Sequence, residues 1–308
     1  MSLKIIHNRN KFFIASGILV LLSILSLSIW GLNFGIDFTG GSLLEVGVSG
    51  EINMSGQDVS NLIIEKMPEI GQVRTQPTND GFLIRMRDLN EAEHQKILSV
   101  LNDGIPSPEA RDDILITEKR FESIGPMIGQ ELKDKALWAI LLALIVIIAF
   151  IAWTFRKVSK PVASWKYGIG AIIALAHDVI IVTGIFSVLG HFFLGFEVDI
   201  LFVTALLTIL GYSVNDTIVV YDRTRENLIY NPQKTFEDTV NKSVNDTIKR
   251  STNSSLTTLL VLLALYFLGG ATIRNFVLAL MLGTLVGTYS SIFIASPLLV
   301  VWQKMKRR

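Results

Sequence analysis

Runs of apolar residues approaching the length needed to cross a bilayer recur six times along this chain. A spanning helix requires about 20 mainly apolar residues, and the segments 12–32, 136–155, 167–189, 200–221, 252–268 and 276–301 predict such helices. The fifth is the shortest in apolar terms. Its clean run covers only 256–268, so it needs the polar stretch 251–255 as its first turn and is expected to pack inside the bundle.

Between the first and second runs, residues 33–133 have ordinary soluble composition, and the hydrophobic period changes along them. Residues 42–48 predict a strand and 55–67 a helix with Leu62, Ile63 and Met67 on one side. Residues 73–78 and 81–87 predict a hairpin, with Thr78-Asn79-Asp80-Gly81 as its turn. Asn90 predicts the cap of a helix reaching about Leu101, with Glu93 at the third position completing a capping box, and 114–121 predict a last strand. The order βαββαβ points to a ferredoxin-like α+β domain set into a polytopic α-helical membrane protein. The division expected is 1–32 (N-terminus and first span), 33–133 (outer domain) and 134–308 (spans two to six with their loops and the C-terminus).

Composition sharpens this picture. Half of the 308 residues are hydrophobic and the mean hydropathy is +0.48, an excess that must face lipid. The net charge of +1 matters less than where Lys and Arg fall. On one side lie Lys4, Arg9 and Lys11; Arg156, Lys157, Lys160 and Lys166; six cations from Arg223 to Arg250; and Lys304, Lys306, Arg307 and Arg308. The two short loops opposite, 190–199 and 269–275, carry only Arg274. By the positive-inside rule both termini are cytoplasmic and the 33–133 domain is outside. The first run is too long for a signal peptide and runs into Gly31-Leu32-Asn33-Phe34-Gly35 without a small-x-small cleavage site, so it reads as an anchor. The chain has no cysteine, which excludes disulfides and thiolate metal sites. No metal, cofactor or nucleic-acid signature emerges, and the phosphate-loop, nucleophile-elbow and zinc-protease motifs are missing.

Chemistry is therefore sought at ionisable residues inside the spans, where each costs roughly 2.5–3.5 kcal/mol to insert. Asp178, beside His177, lies about 11 residues and ~16 Å into the third span, near the bilayer centre. Asp216, preceded by Asn215, lies on the fourth, six residues before Asp222-Arg223, and Arg250 begins the fifth. Thr208, Tyr212 and Asp216 recur at four-residue steps, and Thr204, Thr208, Gly211, Asn215 and Asp222 trace a neighbouring polar stripe that is expected to turn into the bundle. A carboxylate caught between burial, which opposes its charge, and a guanidinium, which favours it, is suited to exchange protons. Asp216 is thus the candidate carrier and Arg250 its counter-charge. Asp178, His177, Tyr212 and Thr208 are supporting polar groups. Gly283 and Gly287, with Thr284, Thr288, Ser290 and Ser291, form a small-residue face expected to serve packing, as do Gly168, Gly170, Ala171 and Ala174. Asp37 is expected to form a turn in Asn33-Phe34-Gly35-Ile36-Asp37-Phe38-Thr39-Gly40-Gly41.

Three strings carry a family resemblance: Gly35-Ile36-Asp37-Phe38-Thr39-Gly40-Gly41, Ala174-Leu175-Ala176-His177-Asp178, and Gly211-Tyr212-Ser213-Val214-Asn215-Asp216-Thr217-Ile218-Val219-Val220 followed by Asp222-Arg223 and Arg225-Glu226-Asn227. With six spans and Ser123-Ile124-Gly125-Pro126 before the second, the chain resembles SecF in the SecD/SecF family of the resistance-nodulation-division superfamily. The resemblance implies a heterodimer with SecD in the bacterial cytoplasmic membrane, associated with the SecYEG channel, with YajC and YidC as candidate neighbours. It implies a proton-motive force that helps to draw unfolded polypeptide outward, with no nucleotide hydrolysis and no nucleic acid. The family's proton-relay aspartate falls on Asp216 and its arginine on Arg250. Val214, Tyr221 and Thr224 stand where Leu, Phe and Ile are common in the family, and none of these changes removes a group the relay needs. Two other classes fit the same spans, a stand-alone exporter that would have to dimerise and a scaffold that carries no protons.

Overall fold

In this computed structural model residues 3–48, 54–78, 80–104, 116–154, 163–193 and 195–305 are described. In chain order the elements are α1 (Arg9–Trp30), α2 (Ile36–Thr39), β1 (Gly41–Val48), α3 (Gly56–Lys66), β2 (Arg74–Thr78), β3 (Gly81–Met86), α4 (Glu91–Gly104), β4 (Ile116–Ile124), α5 (Pro126–Thr154), α6 (Ser164–Phe192), α7 (Ile200–Tyr230), α8 (Phe236–Leu268), α9 (Ala271–Ser290) and α10 (Ser296–Met305). The contacts define two units: Met1–Asn33 with Leu137–Phe192 and Leu201–Arg308, and Phe34–Ala136 with Phe193–Ile200.

In the second unit four antiparallel strands lie in the order β2-β3-β1-β4, with a helix after β1 and another after β3, which is the ferredoxin-like arrangement. Strand alternation puts Leu44 and Val46 of β1 and Phe82 and Ile84 of β3 on one face. There they pack with Val59 and Ile63 of α3 and Ile97 and Leu101 of α4 in one buried core. Burying each such side chain contributes roughly 1.5–3 kcal/mol. The expected capping box forms: Asn90 Oδ1 accepts from the Glu93 amide at 3.0 Å, and Glu93 Oε2 accepts from the Asn90 amide at 3.1 Å. Of the expected hairpin turn Asn79 lies outside the described residues, as do 114–115 of the last strand, which continues to Ile124. Pro126 then occupies the first position of α5, where its missing N–H costs nothing, so this helix starts ten residues before its apolar run.

The segment Phe193–Ile200 belongs to this unit, whereas the sequence predicts only a short loop over 190–199 and a span from 200. The Gly35 amide donates to the Val198 carbonyl at 2.9 Å. Asp37 does more than turn the chain, because its Oδ2 accepts the Ile200 amide at 2.9 Å and so ties the 193–200 segment to the glycine-rich turn. Glu197 pairs with Arg85 of β3 at 2.9 Å, both side chains being 17% exposed. Burial holds the Glu197 carboxyl above its ordinary range, and the Arg85 guanidinium opposes that shift without cancelling it. The folded chain therefore binds this proton more tightly than the unfolded chain. The stability from this source is full below the ordinary glutamate value of about 4.3 and declines as pH rises through the folded value. Glu197→Gln is expected to flatten that decline in a pH series of unfolding temperatures on the whole protein in detergent.

The other unit holds the spans. Among the described residues six helical stretches are long and apolar enough to cross a membrane, the sixth comprising α9, a π-helical turn at Ser291–Ala295, and α10. α1 is inverted relative to a soluble helix: Ser16, Ser23 and Ser26 are buried while Ile14, Leu21 and Ile29 are exposed. Lipid is as apolar as leucine, so small residues take the contact face, and Gly184 of α6 meets Ser23 so closely that a Cβ would overlap it. α7 and α8 run well past their apolar stretches. Beyond the spans they pair through Arg223 and Asp246 at 2.8 Å and through Asn227 and Ser243 at 2.9 Å. Of the cations counted from sequence, Arg156, Lys157, Lys160, Lys306, Arg307 and Arg308 lie outside the described residues.

One expectation fails here. α8 does not pack inside the bundle: Leu256, Leu260, Val261 and Phe267 are all more than half exposed. Its buried serines, Ser251 and Ser255, lie one turn apart on a single edge and find their partners there, which leaves the rest of the helix free to face lipid.

Candidate buried carboxylate site

Asp178 of α6 is fully buried. Its Oδ2 accepts Ser213 Oγ from α7 at 2.6 Å and Ser290 Oγ from the end of α9 at 2.9 Å, while Oδ1 lies 2.9 Å from Nδ1 of His177. One carboxylate thus ties three spans together and is saturated by donors. His177 Nε2 is buried without a hydrogen-bond partner, and its ring stacks near Tyr289 at 6.2 Å.

Asp216 lies three residues beyond Ser213 on α7 and is 7% exposed. Ser251 Oγ donates to its Oδ1 at 3.1 Å and the Thr288 hydroxyl of α9 stands close to the carboxylate, whereas Oδ2 is buried and makes no hydrogen bond of ordinary geometry. A buried carboxylate oxygen without a well-placed donor is expensive while charged. Tyr212 Oη donates to Ser255 Oγ at 2.9 Å, and Ser255 Oγ lies 2.5 Å from Thr288 Oγ1, extending a chain of hydroxyls across α7, α8 and α9. Arg250 is exposed and makes no ion pair with Asp216; its charge acts on the carboxylate through space. The direct partner is the next residue, Ser251.

Local backbone chemistry sets this geometry. Pro297 has no N–H, and its ring collides with the carbonyl four residues earlier, that of Phe293. The helix relieves the collision by widening into the π turn just before it. That turn sets Ser291 Oγ 2.9 Å from Thr217 Oγ1 and directs the Ala295 carbonyl to Tyr221 Oη at 3.1 Å. The expected close approach at the glycine face is present. A Cβ at Gly283 would overlap Ile209, and one at Gly287 would stand 3.0 Å from the Ser213 Cβ.

The polar stripe of α7 splits, contrary to expectation. Tyr212 and Asp216 turn inward, but Thr204, Thr208, Gly211, Asn215 and Asp222 are exposed. The inward surface is occupied by Leu206, Ile209, Leu210, Ser213 and Thr217, all buried, so positions one step around the helix must face out. Thr208 satisfies its hydroxyl on the Thr204 carbonyl at 2.8 Å and joins neither carboxylate. Ser213, Ser251, Ser255, Thr288 and Ser290 were not singled out for chemistry. Their only sequence signal is hydroxyls at one-turn spacing on neighbouring spans, which also describes ordinary helix packing.

Six spans, a ferredoxin-like domain inserted after the first, and two buried carboxylates among hydroxyls define a polytopic membrane protein with ionisable groups inside its bundle. Residues 109–305 match the family described as Protein export membrane protein SecD/SecF, C-terminal, and residues 26–51 match the SecD/SecF GG Motif. A protein translocase subunit SecF from Thermobaculum terrenum is 40% identical over 97% of this chain and 93% of its own length. A protein translocase subunit SecDF from Thermus thermophilus is 38% identical over 90% of this chain and 35% of its own. The crystal structure of SecDF from that organism superposes with a TM-score of 0.82 at 33% identity over the whole of this chain, which spans 39% of the SecDF chain. The chain belongs to the SecD/SecF family of protein-export membrane proteins, and it is a multi-pass cell-membrane protein.

Proposed function

We propose that this chain is a subunit of the Sec export machinery that, paired with SecD, uses the proton-motive force to promote late steps of polypeptide translocation across the bacterial cytoplasmic membrane. The observation that carries this reading is Asp216, a carboxylate buried within a span with one oxygen held by Ser251 and the other without a hydrogen bond of ordinary geometry. Protonation at Oδ2 removes the charge, loosens the hold of Ser251 and Arg250 on α7, and lets α8 shift along its single polar edge. Both termini are cytoplasmic and residues 33–133 form the outer domain that meets the emerging unfolded chain, while 1–32 and 134–308 form the membrane part. SecD covers the outward face of α7, because Thr204, Thr208, Gly211 and Asn215 are exposed within a span where polar groups seek protein partners rather than lipid. SecYEG is the channel served, with YajC and YidC as neighbours. In inverted vesicles depleted of the chain and resupplied with it together with SecD, precursor export should accelerate only while a proton gradient stands. Equal acceleration after an uncoupler has collapsed the gradient would count against the reading.

A further inference from the structure

Four helices end together on one side of the bundle, α1 starting at Arg9 and α10 ending at Met305 close to their apolar runs, α7 ending at Tyr230 and α8 starting at Phe236 beyond theirs. Between these ends lies a cavity of about 960 Å³, at the upper end of the range of roughly 300–1,000 Å³ usual for ligand sites. Its charge is unbalanced. Among the described residues Arg9, Lys234 and Lys304 line it with Glu237 as the only acidic one, leaving a net +2. Glu237 is already engaged by Arg9 Nη1 at 2.6 Å and Lys304 Nζ at 2.5 Å, and Lys234 forms no ion pair with any described residue. The first turn of α8 opens on the same space behind its cap Thr235, and the amides at the start of a helix of 33 residues add partial positive charge. The rest of the wall is mixed, with Leu228, Phe236 and Val301 among its apolar residues and Asn10, Gln233 and Gln303 among its polar ones.

The excess of cations favours an anion in the cavity, and the apolar residues of its wall offer a surface to hydrocarbon. Among the described residues no glycine-rich loop lines the cavity and Phe236 is the only aromatic in its wall, so a nucleotide's base and phosphate chain are poorly matched. We infer that this cavity binds the phosphate-bearing headgroup of an anionic phospholipid, with Lys234 as the free cation that receives it and Leu228, Phe236 and Val301 beside its upper acyl chain. The inference needs only a multi-pass membrane protein and is independent of the proton chemistry of Asp216.

The test is native mass spectrometry of the whole protein in detergent, doped with phosphatidylglycerol or with phosphatidylethanolamine. Phosphatidylglycerol should be retained in preference, and Lys234→Gln should weaken that retention about five-fold, the effect of one cation near an anionic lipid. Lys249→Gln removes an exposed cation outside the cavity and should leave retention unchanged. Equal retention by wild type and Lys234→Gln would overturn the assignment, as would an equal loss in Lys249→Gln, which would mean diffuse surface charge. Displacement of the lipid by millimolar glycerol phosphate would overturn it as well, by assigning the site to soluble phosphate.

Discussion

Asp216→Asn is expected to leave a folded chain that still pairs with SecD but no longer supports gradient-stimulated export. The amide is nearly the same shape as the acid and can place its oxygen where Oδ1 accepts Ser251 Oγ at 3.1 Å, so the contact between α7 and α8 survives. The group lost is the oxygen that takes a proton. Oδ2 is buried without a hydrogen bond of ordinary geometry, so an NH₂ there costs about as much as any unsatisfied buried donor, roughly 1–3 kcal/mol, which is not enough to unfold a protein of ordinary stability. Export stimulation by a proton gradient should therefore fall to the level seen without the chain, while co-purification with SecD stays at the wild-type level. Retained stimulation would remove Asp216 from the relay. Ser251→Ala provides the contrast, because it deletes the direct hydrogen bond but not the titrating group. It should reduce stimulation by no more than about ten-fold, the equivalent of one hydrogen bond of about 1.4 kcal/mol.

Gly41→Ala should be strongly damaging to the outer domain. Gly41 has φ +123, a conformation that side chains rarely adopt, and a Cβ there would stand 2.7 Å from the Met86 carbonyl oxygen of the neighbouring strand. Strain and collision together are expected to cost about 3 kcal/mol or more, because the oxygen that must move belongs to the backbone pairing β1 with β3. Gly40 is bound in the same way, with φ +73 and a Cβ position 2.9 Å from Pro126 Cα. Gly71→Ala is the control. Its φ of +76 is also left-handed but it faces open space, so about 1 kcal/mol is expected. Thermal unfolding of the three variants in detergent, followed by limited proteolysis of the outer domain, should rank Gly41 above Gly40 and both well above Gly71. This ranking gives a physical reason for the glycine pair in the motif: two adjacent close backbone approaches in one sharp turn.

Much of the architecture was legible because a bilayer makes periodicity and length decisive. Apolar runs of about 20 residues have few alternatives, and the change to alternation in residues 42–48 and 81–87 marks a sheet. Local chemistry was equally readable at Asn90 and Glu93, whose capping box involves only neighbours in sequence. Side-chain partners across helices were not. Helical spacing groups Thr204, Thr208 and Asn215 with Asp216 as one polar side, but it cannot tell which part of that side is already filled by the rotation of α7 against α6 and α9.

By itself, then, the sequence determined six spans, an inserted α+β domain and the presence of carboxylates inside the spans, since each follows from the period and length of apolar runs. Tertiary structure alone decided how those carboxylates differ. Asp178 is saturated by Ser213, Ser290 and His177, while Asp216, beside Ser251, keeps an oxygen without a well-placed donor, with Arg250 at a distance. Hydrogen bonding depends on ångström placement between helices far apart in the chain, and although the Gly283 and Gly287 face announces a close approach, it does not encode which side chains then meet.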